Sequence, residues 1–431
     1  MKRIFFCLIC IATVLTAFAQ PQFWGTTFSG GTNEFGTIFH IDSSGSNIES
    51  IYSFEKTEGS QPGYEKLCEY NGKLYGLTSQ GGSLNKGILF EYDFQTKKYL
   101  KKADFDSING ALPWGGLTSM NNGKLYGMTL TGGTNNKGVI FEYDIATGNL
   151  SVKVNFDNTN GAIPYGSLAL APNGKLYGAT YAGGENNVGV LFEFNPADNG
   201  FNILVNFHDT TGIMPVGSPI ILGNKIIGTT YGGGLNSYGT IYSYDISSSI
   251  FSKIHDFDFV NGAFPTSCLV QYSTNKLYGT TTNGGNSSSG IIYEYDLPTN
   301  TFKKVYDLVD SASGTQMYGG LTLANNGRLY GVTQTGGSND YGCIVEFLPT
   351  NYELKKRMEF TSFTGGISYC TLLKATNGKL YGLNSTSGMG NGGTMYELDI
   401  EKQQFNIMAS FGSAFNGSNP YGGLVGGSNG K

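Results

Sequence analysis

The phrase Leu74-Tyr75-Gly76-Leu77-Thr78-Ser79-Gln80-Gly81-Gly82 comes back as Leu125-Tyr126-Gly127-Met128-Thr129-Leu130-Thr131-Gly132-Gly133 and again as Leu176-Tyr177-Gly178-Ala179-Thr180-Tyr181-Ala182-Gly183-Gly184. Its third residue falls at Gly25, Gly76, Gly127, Gly178, Gly228, Gly279, Gly331 and Gly382, at intervals of 51, 51, 51, 50, 51, 52 and 51 residues. Eight copies with almost no drift in length require each unit to meet its neighbours in the same way. That restricts the chain to a repeat architecture before any single strand is considered.

Within one unit, residues 166–171 form a short apolar run, Asn173-Gly174 a hairpin turn, and residues 175–180 a second strand. Gly183-Gly184 opens a loop, and residues 190–194 and 201–207 read as two further strands around a polar turn. The unit is therefore four antiparallel strands, A to D in chain order. No stretch beyond the N-terminus sustains a helical apolar period between caps, so helices are minor at most. A four-stranded unit of this length is a propeller blade, and eight blades lie within the usual range. The coils of a β-helix repeat at shorter periods. The 39% hydrophobic content, with 28 Tyr and 28 Phe, excludes disorder, and the 65 Gly follow no collagen period.

The chain ends carry a sharper expectation. The A-to-B turn recurs as Asn71-Gly72-Lys73, Asn122-Gly123-Lys124, Asn173-Gly174-Lys175, Asn326-Gly327-Arg328 and Asn377-Gly378-Lys379, and the sequence stops at Asn429-Gly430-Lys431. The next residues of the pattern would be Leu-Tyr-Gly, and Phe23-Trp24-Gly25 supplies them from the other end. Strand A of the last blade is thus expected from residues 421–426 and its B, C and D strands from residues 23–54, which closes the ring and hides its edges. Residues 23–431 form one propeller domain in this reading. Residues 1–19 form a signal peptide: Lys2 and Arg3, an apolar stretch over 4–15, and Ala17-Phe18-Ala19 for cleavage.

Removing that leader takes the formal charge from −5 to −7. An acidic chain argues against nucleic acid as partner, and no later stretch is apolar enough to span a membrane. Cys68, Cys268, Cys343 and Cys370 have neither metal-site nor disulfide-scaffold spacing, so buried thiols are expected.

The pattern L-Y-G-x-T-x-x-G-G-x-x-x-x-G-x-[IVL]-[FY]-E-[YF]-D resembles the Gloeo/Verruco (GloVer) tandem repeat of bacterial exported proteins, and the diglycine after strand B resembles that of kelch blades. The resemblance covers residues 23–431 and implies a secreted or surface propeller, with no established activity. Copies depart from it at Ile226-Ile227-Gly228 and over residues 384–393.

A residue present in nearly every blade answers a need present in every blade, whereas catalysis needs one asymmetric cluster. Glu91, Glu142, Glu193, Glu294, Glu346 and Glu397 therefore read as structural, not as the close carboxylate pair of a glycosidase. So do the recurring threonines, from Thr78 to Thr333. Lys73, Lys124, Lys175, Lys225, Lys276, Arg328, Lys379 and Lys431 read as solvated turn cations, with an anionic polymer as the alternative. His208 and His255 have no third partner in sequence for a general base or a metal site. D-to-A and B-to-C loops share one face, and there Trp114, Tyr165, Tyr318 and Tyr421 stand at the start of strand A, mostly as [WY]-Gly-[GS]. Aromatic faces among Gly and Ser suit a sugar ring or a peptide, and these four are the candidate ligand-binding residues. The functional expectation is an exported monomeric binding or interaction module for polysaccharide or a surface protein. It needs no cofactor, metal or catalytic residue. The alternatives are a carbohydrate-active enzyme with its site on the same loops, or an architectural surface element.

Overall fold

A computed structural model describes residues 21–45, 48–62, 66–412 and 416–426. The leader over 1–19 and the final Asn429-Gly430-Lys431 turn lie outside the described residues.

Eight antiparallel sheets form the blades of a propeller. Their B strands, from blade 1 to blade 8, are Lys73–Gln80, Lys124–Thr131, Leu176–Ala179, Lys225–Thr230, Lys276–Thr280, Leu329–Val332, Leu380–Asn384 and Gln22–Thr27. Blade 2 shows the plan: A at Thr118–Ser119, B, C at Val139–Asp144 and D at Asn149–Asn155, hydrogen-bonded in that order. Among the described residues, helix is confined to single turns at Lys56–Glu58 and Asp310–Ser313.

Blade 8 is built from both ends of the chain. Phe23 pairs with Gly426 and Trp24 with Val425, and Ser29 bridges Ser418 further up. The sheet continues through Thr37–Asp42 and Ile48–Ser53. Ring closure, read from two half-hairpins in the sequence, is the observed topology.

The core is divided among the blade interfaces. Eight apolar clusters each join two neighbouring blades, including one between blades 7 and 8 and one between blades 8 and 1. The glycine of Leu-Tyr-Gly makes this packing possible, because the aromatic ring of strand C crosses over it. A Cβ on Gly127 would stand 2.5 Å from Phe141 Cζ. In blade 6, strand C carries Val345 instead, and Met317, at the entry to the same blade's strand A, fills the space over Gly331.

Strand A is interrupted. Ala111–Pro113 pairs with the upper part of strand B and Thr118–Ser119 with the lower part, so residues 114–117 bulge opposite only Gly127 and Met128. Just before each bulge a residue adopts a left-handed backbone: Gln61, Leu112, Ile163, Met214, Phe264, Gln316, Ile367 and Asn419, all with φ of 54–57°. Such a conformation is strained for a β-branched side chain like Ile163 or Ile367. It recurs because this residue's amide reaches the preceding blade: Leu112 N donates to Lys86 O at 3.0 Å and Ile163 N to Lys137 O at 3.0 Å. In six blades a proline follows and packs on that blade's loop, Pro113 Cδ lying over Gly87.

The repeated polar residues form a second lattice. Strand register sets Tyr75 opposite Glu91, and the alternation of side chains puts Lys73 on the same face. Lys73 Nζ and Tyr75 OH both donate to Glu91, at 2.7 and 2.9 Å. The same trio recurs at Glu142, Glu193, Glu294, Glu346 and Glu397. The basic residues of the A-to-B turn are thus ion-paired in six blades. This corrects the reading of those six as solvated turn cations and removes the basis for an anionic polymer on that face, whereas Lys225 is exposed as expected. Where the tyrosine is replaced the glutamate is too: Ile227 faces Ser243, and Trp24 faces His40. The recurring threonine ties its own hairpin, Thr78 Oγ1 donating to Gln80 O and accepting from Ile88 N.

Burial opposes ionisation of Glu91, Glu142, Glu193 and Glu346, but hydrogen bonds from their basic and tyrosine partners outweigh it and hold the carboxyls below the ordinary range. A depressed folded-state value contributes stability above the unfolded value, about 4.3 for Glu, and loses it as pH falls through the folded value. His255, whose pKa burial lowers to about 4, adds stability that declines as pH falls below about 6.5. The melting temperature, followed by calorimetry, should therefore decline gently from about pH 6.5 and fall steeply below about pH 4, where the glutamates take up protons as well. An unchanged melting temperature at about pH 3 would contradict the lattice's role.

Candidate functional site

The bulges on strand A meet around the propeller axis and are stitched blade to blade. Gly116 N donates to Ser167 Oγ and Ser167 N to Ser218 Oγ, both at 2.8 Å; Gly320 N donates to Thr371 Oγ1 at 3.0 Å. Inside this collar lies a cavity of about 580 Å³, lined by Gly166, Ser167, Ser218, Ser267, Tyr318, Gly320, Tyr369, Thr371 and Lys66 among others. A hydroxyl that accepts one amide still has a proton and a lone pair to offer the lumen.

The sequence-predicted aromatic residues occupy equivalent places at the first residue of the bulge. Trp114 and Tyr165 stand with ring centroids 6.3 Å apart, and Tyr165 meets Tyr181 at 5.3 Å. Tyr318 and Tyr421 are joined through Tyr369, at 5.9 and 5.5 Å, and Tyr421 meets Phe28 at 5.3 Å. The four thus fall into two arcs. Val216 and Thr266 hold the intervening positions in blades 4 and 5, and the blade 1 position, Tyr64, lies outside the described residues. Tyr318 is 37% and Tyr369 43% exposed, while Trp114, Tyr165 and Tyr421 are half-buried. Burial raises the phenol pKa of Tyr318 and Tyr421, so both stay neutral donors at neutral pH.

Sequence reasoning missed Tyr369, because Tyr369-Cys370-Thr371 does not read as [WY]-Gly-[GS]. Alignment on the following leucine, Leu372 beside Leu321 and Leu424, would have found it. The cysteines are also corrected. None is in a disulfide, but only Cys343 is buried; Cys68 and Cys370 are half-buried and Cys268 is exposed, with Cys268 and Cys370 on the cavity wall. Burial pushes the thiols of Cys68 and Cys343 up to about 11.

His208 and His255 are not brought together. His208 is exposed and hydrogen-bonds Thr210 Oγ1. His255 stacks on Phe302 of the next blade at 3.5 Å, and burial lowers its pKa to about 4, so it packs there as a neutral ring. Among the described residues no group of three His, Cys, Asp or Glu could hold a metal ion, and no helix is long and apolar enough to cross a membrane.

These features define an eight-bladed β-propeller with an axial cavity and an aromatic rim. Residues 12–171, 146–325 and 306–431 match the model of the Gloeobacter/Verrucomicrobia repeat, and the chain belongs to that family. No curated protein matches it. Among solved structures, it resembles a puromycin-hydrolysing peptidase of Mycobacterium tuberculosis (TM-score 0.52, 8% identity, 84% of this chain and 55% of that one). It also resembles dipeptidyl peptidase 4 of Porphyromonas gingivalis (TM-score 0.50, 8% identity, 85% and 56%). A third is a putative 6-phosphogluconolactonase of Bacteroides uniformis (TM-score 0.48, 12% identity, 78% and 95%). The chain spans little more than half the length of the two peptidases. At these identities the likeness is one of fold, and a propeller fold does not fix an activity.

Proposed function

We propose that this propeller is an exported binding module whose ligand is a polysaccharide seated on the aromatic rim over the axial cavity. One observation carries the reading: aromatic residues recur at the same rim position in different blades, yet are left partly exposed around a cavity lined with hydroxyls and glycine backbone. Aromatic residues kept only for packing would be buried like Tyr126 or Tyr177. The leader-like residues 1–19 and the family support a place outside the cytoplasm.

The test is to screen the chain lacking residues 1–19 against soluble polysaccharides, measuring both binding and product release. Tyr318→Ala and Tyr369→Ala should each weaken a bound glycan by about 1 to 3 kcal/mol. Their melting temperatures should stay near that of the parent, since both rings are already well exposed. Absence of any glycan binding, or affinities unmoved by these changes, would refute the reading, and released product would move it to the carbohydrate-active enzyme.

A further inference from the structure

The rim is not electrostatically uniform. The residue just before the glycine that opens strand C is Phe35, Lys86, Lys137, Val188, Tyr238, Ser289, Tyr341 or Gly392, going round the ring from blade 8 to blade 7. Only blades 1 and 2 place a charge there. The carbonyls of Lys86 and Lys137 accept the amides of Leu112 and Ile163, two residues before Trp114 and Tyr165. Each lysine's backbone is thereby tied to the segment that leads into one aromatic residue of the same arc, and its side chain is partly exposed there. A third cation, Lys66, occupies the bulge of blade 1, where other blades carry Gly, Ser, Cys or Thr. Lys66 is exposed, lines the axial cavity, and shares a smaller recess with Trp114.

On the opposite face and the outer strands, lysines are mostly paired: Lys73, Lys124 and Lys379 with glutamate, Lys253 and Lys304 with aspartate. Lys66, Lys86 and Lys137 make no ion pair among the described residues. Among the described residues, acids of the same sector are engaged elsewhere. Glu58 and Asp104 take Lys101, and Asp106 takes the amides of Ile108 and Asn109. In a chain of net charge −5, three cations without acid partners among the described residues, on the arc that carries two aromatic residues, are not a general excess of base.

We propose that the sector formed by Trp114, Tyr165, Lys66, Lys86 and Lys137 takes a saccharide bearing an anionic group, its ring against the aromatic faces and its charge on the lysines. This rests on the polysaccharide reading and narrows it. An acidic peptide is less well served, because the rim amides that strand addition would use are already bonded to the preceding blade. A single-stranded nucleic acid would need a longer basic track than three lysines supply.

The probes are a short oligogalacturonate, its methyl ester, a sulfated galactan oligosaccharide, a glutamate-rich peptide and an oligothymidylate, each titrated calorimetrically at low and physiological salt. The acid should bind about tenfold tighter than its ester at low salt, the summed effect of one exposed and two half-buried cations. Salt should shrink the difference. The variant carrying Lys66→Gln, Lys86→Gln and Lys137→Gln should lose that preference while keeping the ester's affinity and the melting temperature, and Tyr165→Ala should weaken acid and ester alike. Binding of the sulfated probe instead, lost in the triple variant, supports the proposal with sulfate as the group recognised. Equal binding of acid and ester, or a preference that survives the triple change, overturns it and leaves the polysaccharide reading standing. Preferential binding of the peptide or the oligothymidylate overturns it as well. If no saccharide binds at all, both readings fall together.

Discussion

Ending the chain at Gly417 is expected to abolish cooperative folding of the ring or to lower its stability by on the order of 5 kcal/mol or more, comparable to the whole margin of an ordinary domain. The segment removed supplies strand A of blade 8, whose Val425 and Gly426 pair with Trp24 and Phe23. It also supplies Leu424, buried in the cluster with Phe23, Phe39 and Tyr381. Ser418 and Asn419 are lost too, and with them the bonds that tie the top of blade 8: Phe28 N to Asn419 O at 3.0 Å and Ser29 N to Ser418 O at 3.1 Å. Loss of one buried leucine alone costs about 2 to 5 kcal/mol. The truncation adds an exposed B-strand edge, which invites association with other chains. Calorimetry and light scattering on the truncated chain give the reading. Adding back a peptide of residues 418–431 should raise the melting temperature, because the groove between blades 7 and 1 is complementary to it. A truncated chain that melts as the intact one does would show that the ends are not coupled.

That closure was legible because both halves of a hairpin are incomplete in sequence and complete each other: Asn-Gly-Lys at one end, Phe23-Trp24-Gly25 at the other. The blade plan was legible for the same reason, since turns and alternating apolar residues recur at fixed spacing. The partners of the repeated charges were not read, although alternation along strand B puts Lys73 and Tyr75 on one face and the B–C register sets Glu91 across from them. Blades 4 and 8, which lose tyrosine and glutamate together, carry the same information. The bulge in strand A was invisible, because nothing local marks Leu112 or Ile163 for a left-handed backbone. Their conformation is imposed by the carbonyl of the preceding blade. The rim aromatics were read where glycine follows them and missed at Tyr369, where Cys370 does.

Glu346→Ala is expected to lower stability by about 3 kcal/mol, the lower part of the range for breaking a buried ion pair, since water can reach its arginine partners. Glu346 is itself buried and holds four donors: Arg328 Nη1 and Tyr330 OH at 2.6 Å, and Nε and Nη2 of Arg357 at 2.8 Å. Removing the carboxylate leaves two guanidinium groups side by side and a phenol without its acceptor. Glu346→Gln keeps the shape and one acceptor oxygen, so it should cost less, and Tyr330→Phe less again, about 1 kcal/mol for a single hydrogen bond. The order separates a structural carboxylate from a catalytic one. A structural glutamate loses stability in proportion to the donors it abandons, and its loss leaves any ligand affinity at the far rim unchanged. A catalytic glutamate would lose activity with little change in melting. Glu294, whose partners among the described residues are Lys276 and Tyr278, should follow with a smaller loss. If Glu346→Ala melted normally but abolished ligand binding or turnover, the lattice at this blade would have to be read as a working site.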